Sequence, residues 1–197
     1  MNNIKKAIRQ IHAAMATLSG DDKVVTFVST ADSIAQQTII ANMAMMYEAA
    51  QERVLVLDID FGNKRLQKAF KLKNEFGLSD YLDGGSSKMD NLVNSIPGKK
   101  IDVITPGTLK PENVKYLIGD PKFDVLMKQL TGKYDHVLIN TPAFKKIDLL
   151  DSLIQVSDGM VMIEQAGSVN KRDIRNTIKL LRQHSAPLLG YINIEKG

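Results

Sequence analysis

The sequence predicts an α/β fold: a doubly wound, mostly parallel sheet flanked by helices, with a helical extension at the N-terminus. Three observations carry this. Short apolar runs rich in Val and Ile recur along the chain, longer helical patterns separate them, and the runs do not alternate apolar with polar. Strands covered on both faces look like this, and strands separated by helices imply right-handed βαβ crossovers. The first helix is read from Ile4, Ile8, Ile11 and Met15, which form one apolar stripe, while Lys5, Lys6, Arg9 and Gln10 point elsewhere. Ser19-Gly20-Asp21-Asp22 ends it, so residues 1–19 are taken as the extension and residues 20–197 as one domain. Strands follow at Val24–Val28, Val54–Leu57, Ile101–Ile104, His136–Ile139, Met160–Ile163 and Leu188–Ile192. Between them, helices are expected over Ala35–Ala50, Asn113–Leu130, Leu149–Val156 and Val169–His184, with a flexible turn at Gly84-Gly85-Ser86-Ser87.

Composition narrows the function. A chain of 197 residues with 44% hydrophobic and 24% charged residues is long enough to bury a large core without disulfides. It has no cysteine, which excludes disulfides, thiol redox chemistry and thiolate metal sites. Its three histidines are too scattered for a His-rich metal centre, and no metal site is expected. A net charge of +4 is too mild for a dedicated nucleic-acid binder, and no aromatics are interleaved with the basic residues to stack on bases. No run approaches the length of a membrane span, so a cytoplasmic location is expected.

In a doubly wound sheet, ligands bind beyond the carboxyl ends of the strands. The first such place is Ser29 to Thr38, a strand-to-helix loop positioned like a phosphate-binding loop. Such a loop uses glycines to turn its N–H groups inward, a lysine for the phosphates and a hydroxyl for magnesium. Asp58 and Asp60, at the end of the second strand, are the candidate acidic pair for a metal or for activating a hydroxyl. With no nucleotide present, they are read as structural, paired with Lys64, Arg65 or Asn140.

The chain resembles the cytoplasmic bacterial tyrosine kinases of capsule and exopolysaccharide assembly, relatives of the partition and septum-site ATPases with a P-loop NTPase-like fold. The residues that carry the likeness are Ile39 to Ala44 after the loop, Val54 to Asp60, Gly77-Leu78-Ser79-Asp80-Tyr81-Leu82-Asp83-Gly84, Tyr134 to Pro142, and Val156-Ser157-Asp158-Gly159. The resemblance also shows where this chain departs from its relatives. The two loop glycines fall on Ser33 and Ala35, the lysine on Gln36 and the serine on Gln37, while Thr38 retains the threonine. The aspartate of the third motif is Asn140, and an arginine after the second motif is Gly62. In the first helix, an interface pattern that joins kinase subunits into a ring falls on Lys6, Arg9 and His12. After Tyr191, read as part of a strand, the chain runs to Glu195-Lys196-Gly197 with no tyrosine-rich tail.

Losing a lysine–phosphate bond costs roughly 1.5–3 kcal/mol, and each non-glycine residue forced to positive φ about 1–3 kcal/mol. A sum of even ~4 kcal/mol is about a thousandfold in affinity. Ser33-Ile34-Ala35-Gln36 also fits a capping box, by which the helix would satisfy its own N–H groups. The resemblance therefore implies a catalytically inactive kinase-like regulator or scaffold with no cofactor. Its expected partner is the cytosolic tail of a membrane polysaccharide chain-length regulator, which would recruit it to the inner face of the membrane. An active kinase homologue is a further expected partner. Two other classes stand beside this reading: an atypical active kinase that uses ATP and magnesium, and a positioning protein on membrane or DNA. Two basic sets stand out, Lys64-Arg65 with Lys68, Lys71 and Lys73, and Lys171-Arg172 with Arg175, Lys179 and Arg182. The second has helical spacing and could face acidic lipid or an acidic partner.

Overall fold

The computed structural model describes residues 2–18, 23–32, 34–84, 89–109, 112, 114–144 and 150–194. Ser19 to Asp22, Ser33, Gly85 to Ser87, Asn113, Leu149 and the last three residues, all named above, lie outside the described set. The strands are β1 (Lys23–Val28), β2 (Val54–Asp58), β3 (Asn94–Ser95), β4 (Ile101–Ile104), β5 (His136–Asn140), β6 (Gly159–Gln165) and β7 (Leu188–Ile194). They form one sheet in the order β3-β4-β2-β5-β1-β6-β7. Every pairing is parallel except that of β3 with β4. The doubly wound reading therefore holds, and β5 lies in the middle, flanked by β2 and β1.

The helices are α1 (Asn2–Met15), α2 (Ile34–Ala49), α3 (Arg65–Ala69), α4 (Leu78–Leu82), α5 (Met89–Leu92), α6 (Val114–Ile118), α7 (Pro121–Thr131), α8 (Leu150–Val156) and α9 (Lys171–Gln183). Two apolar layers separate them. On one face of the sheet α1, α2 and α3 contribute Ile11, Met15, Ile39, Met43 and Leu66, packed on Val25, Phe27, Val56, Leu138 and Val161. On the other, α4 to α9 contribute Leu78, Leu92, Phe123, Leu153 and Leu181 against Leu55, Leu57, Val137, Ile139 and Met162. Alternate residues of each central strand go to opposite layers, which is why these strands carry no polar face. The stripe expected on α1 is real: Ala7, Ile8, Ile11 and Met15 are buried in the first layer, so this helix is part of the core.

Several elements differ from expectation: the short helices α3, α4 and α5 were not foreseen, and two further differences have a clear local cause. The single helix expected over Asn113–Leu130 is two helices, because Asp120 caps a new helix with Pro121 at its first position. The Asp120 carboxylate accepts from Lys122 N at 2.8 Å, and a proline in the first turn costs nothing there. The short antiparallel β3 was not foreseen. Two residues carry no periodicity, and only the pairing of Asn94 with Val103 and Ser95 with Asp102 defines them.

The Gly77–Gly84 motif fastens α4 to the loop after β4. Leu78 N donates to Thr105 O at 2.8 Å, Ser79 N to Pro106 O at 2.9 Å, and Gly77 N to the Asp80 carboxylate at 2.9 Å. A Cβ on Gly77 would overlap the Thr105 carbonyl oxygen and the Gly107 backbone, so this junction requires glycine.

Candidate functional site at the carboxyl edge of the sheet

Asp58 and Asn140 end neighbouring strands and are partners in the β2–β5 register. The first turn of α2 lies over them on the same face. This places Gln36, Asn140 and Asp58 in one buried cluster, each at 1% exposure or less. Gln36 Nε2 donates to Asn140 Oδ1 at 2.8 Å and to Thr141 O at 2.9 Å. Asn140 Nδ2 donates to Asp58 Oδ1 at 2.7 Å, and Asp60 N donates to the same oxygen at 3.0 Å. Asp60 in turn accepts from Gly62 N at 3.2 Å and from Asn63 Nδ2. The edge is thus a chain of neutral amides ending on a buried carboxyl.

This geometry corrects two expectations. Gln36 does not reach back to cap its own helix: its amide N–H group is spent on the ends of β5, and its Oε1 is buried without a partner. Ser33, the other half of that capping box, lies outside the described residues. Of the three partners expected for the acidic pair, Asn140 is hydrogen-bonded to Asp58, while Arg65 acts on Asp60 through its charge without a direct bond. Lys64 pairs with Glu75 at 3.5 Å, and Arg65 forms a two-pronged pair with Asp32, its Nη2 at 2.6 Å from Oδ2. Arg65 thereby ties α3 to the β1–α2 loop and neutralises the carboxylate in that loop.

The remaining expected residues divide between the site and the surface. Ala35 and Gln37 are buried in the first turn of α2, and Thr38 donates its hydroxyl to Ile34 O at 2.8 Å. Lys6, Arg9 and His12 are exposed on α1, and His12 Nδ1 lies 3.3 Å from the Tyr47 hydroxyl. One site residue escaped the sequence reading. Glu164, 1% exposed on β6, accepts from the backbone N–H of Thr30 in the β1–α2 loop. Its signal was an acid directly after the apolar run Met160–Ile163 in a central strand.

Burial dominates the electrostatics. It pushes the Asp58 carboxyl up to about 8, against the lowering effect of the bonds from Asn140 and Asp60 N. Burial also raises Asp60 and Glu164. These shifts have a defined sign. A carboxyl that holds its proton longer when folded makes stability fall as pH rises from the unfolded value near ~4 towards the folded one. Asp58→Asn keeps the oxygen that accepts from Asn140 and Asp60 N but cannot ionise. It is expected to flatten the decline in stability between pH 5 and 8 and to raise stability at pH 8 by roughly 1–3 kcal/mol. Urea denaturation across that range checks this, with Asp60 and Glu164 supplying the residual slope.

The fold implies a nucleotide with magnesium at this edge, and the donor set does not fit one. Phosphate needs a cation and free N–H groups. Here the first turn of α2 offers the neutral amide of Gln36, already bonded to Asn140, and a carboxylate takes the N–H of Thr30. Buried side-chain oxygens without a partner include Gln36 Oε1, Gln37 Oε1, Asp58 Oδ2 and Glu164 Oε2, which are acceptors where a phosphate needs donors.

The sheet order and its flanking helices define a doubly wound, mostly parallel α/β protein. The chimerical protein CapA2B2 superimposes with a TM-score of 0.84 at 26% identity, over 98% of this chain and 84% of that one. The kinase domain of the Escherichia coli tyrosine kinase ETK gives 0.84 at 19% identity, over 96% and 73%. The septum site-determining protein MinD of Pyrococcus horikoshii, solved with Mg-ADP, gives 0.70 at 21% identity, over 86% and 68%. At those identities the last two speak for the fold alone.

In sequence, the tyrosine-protein kinase YwqD of Bacillus subtilis is 28% identical over 177 residues, 90% of this chain and 74% of its own length. The tyrosine-protein kinase CpsD of Streptococcus pneumoniae is 26% identical over 194 residues, 96% of this chain and 84% of its own. The tyrosine-protein kinase ptk of Acinetobacter johnsonii is 27% identical over 157 residues, and the chain spans only 20% of its length. No protein-family model matches the chain. The chain is a homologue of the bacterial tyrosine kinases. Among the described residues, no helix is long and apolar enough to cross a membrane.

Proposed function

We propose that this chain is a catalytically inactive relative of the bacterial tyrosine kinases that serves exopolysaccharide or capsule assembly as a regulator or scaffold. The observation that carries this is Gln36. At the position of the phosphate-binding lysine it offers no charge, and its N–H group is bound inward to Asn140 and Thr141. Asn140 in place of the third-motif aspartate supports the same reading, because an amide can neither take up a proton nor hold magnesium as a carboxylate does. With the pocket diverted to internal hydrogen bonds, the chain's value lies in its surfaces. Its proposed partner is the cytosolic tail of a membrane polysaccharide chain-length regulator, with an active kinase homologue as a second.

A second reading, an atypical ATP-binding kinase, has one observation in its favour: Asp58 Oδ2 is buried and unpartnered at the end of β2. Calorimetry and thermal shift with ATP, ADP and Mg²⁺ separate the two. A ligand that binds only the folded state raises its melting temperature. No heat and no shift at millimolar nucleotide is the expected result. Micromolar binding, abolished by Asp58→Ala, overturns the proposal in favour of the second reading.

A further inference from the structure

The outer face of α9 carries Lys171, Arg172, Arg175, Lys179 and Arg182, all exposed. At about 100° of rotation per residue these five cations fall within an arc of about 100°, a single stripe roughly 16 Å long. Asp173, the one acid of the helix, lies outside that arc and is engaged by Asn170, whose Nδ2 donates to it at 2.7 Å. Among the described residues none of the five is in an ion pair, whereas Arg53, Lys64, Arg65 and Lys99 all are. The helix is held from behind by Leu181 and by the partly buried Ile174 and Ile178, so the stripe is fixed in direction. Ile178 also lines a shallow open depression together with Arg175, Lys179 and Arg182.

We infer that the α9 stripe is a docking surface for an anionic lipid bilayer. A straight row of unpaired cations on a rigid helix matches an extended, flat negative surface. The depression suits a phosphate headgroup with its glycerol over Ile178. No large apolar side chain projects from the stripe, so the contact is adsorption, not insertion. This inference goes beyond the proposed function and does not depend on the state of the nucleotide edge: an active kinase with this helix would bind the same surface.

A basic residue at an anionic leaflet contributes about fivefold in affinity, so removing three costs about a hundredfold. The test is co-sedimentation of the full chain with phosphatidylcholine vesicles containing about 30% phosphatidylglycerol, at roughly physiological and at roughly threefold higher salt. Binding to these vesicles, absent with pure phosphatidylcholine and weakened by salt, is expected. The variant Arg172→Gln, Arg175→Gln, Lys179→Gln is expected to lose about a hundredfold. A control of equal charge change, Lys68→Gln, Lys71→Gln, Lys73→Gln, is expected to bind nearly as the parent does. A thermal melt of each variant confirms folding. Three results would overturn the inference: no binding to the anionic vesicles, equal loss in both variants, or capture of a polyglutamate peptide by a protein that ignores vesicles. The last would assign the stripe to an acidic protein segment.

Discussion

Restoring the phosphate loop with Ser33→Gly, Ala35→Gly, Gln36→Lys and Gln37→Ser together is expected to raise ATP affinity by about a thousandfold or more. The lysine supplies a charge-assisted bond worth roughly 1.5–3 kcal/mol. Each glycine spares the cost of about 1–3 kcal/mol that a side chain would incur where a nucleotide-bound loop needs positive φ to turn its N–H groups inward. The change also frees Asn140 Oδ1 and Thr141 O from the Gln36 amide, bonds that now hold the first turn of α2 closed on β5. Calorimetry with MgATP reads the outcome directly. A restored loop that melts cooperatively yet binds no nucleotide would show that these four positions do not decide the matter. The Asp32–Arg65 pair and the Glu164–Thr30 contact would then be the next places to look.

Asn140 is the second position of large effect, because it joins Gln36 to Asp58 and is itself fully buried. Asn140→Ala leaves Gln36 Nε2 with Thr141 O alone and Asp58 Oδ1 with one backbone N–H. Each weakened buried polar group costs about 1–3 kcal/mol, so a loss of roughly 3 kcal/mol is expected. For a chain of this size that lowers the melting temperature by about 6–12 °C.

Asn140→Asp supplies the aspartate that the resemblance to the kinases implies but sets a carboxyl beside Asp58, across the register of β2 and β5. Two carboxyls in this buried place must share a proton when folded, whereas both ionise above about pH 4 when unfolded. The variant is therefore expected to lose more stability at pH 8 than at pH 6, the direction already set by Asp58 in the parent. Denaturant titrations at the two pH values check this. A variant equally stable at both would mean that Asp58 is ionised in the parent, contrary to its burial.

The order and type of the main elements were legible because strand and helix leave different periodicities. Val54–Leu57, read as a doubly covered strand, is one, and its alternate residues do feed opposite layers. The stripe of α1 was equally plain, since Ile8, Ile11 and Met15 sit one turn apart and are buried together. Asp58 and Asp60 were legible because they follow a strand at the ligand-binding edge of such a sheet, whereas Gln36 and Asn140 were singled out by the resemblance to the kinases. The sequence could not say where their hydrogen bonds go. The amide of Gln36 has the same chemistry whether it caps its own helix or crosses to β5. The choice depends on the distance between α2 and a strand 104 residues further on.

The same holds for the ions. Arg65 could have answered Asp58, Asp60 or Asp32, and only the packing of α3 against the loop assigns it to Asp32. Glu164 was hidden for a related reason: nothing local distinguishes an acid that ends a strand in solvent from one aimed at Thr30. Sequence by itself determined the layers, because burial follows from side-chain type and spacing. Tertiary structure alone decided the polar pairing, because a hydrogen bond is short and directional and its partners lie far apart in the chain.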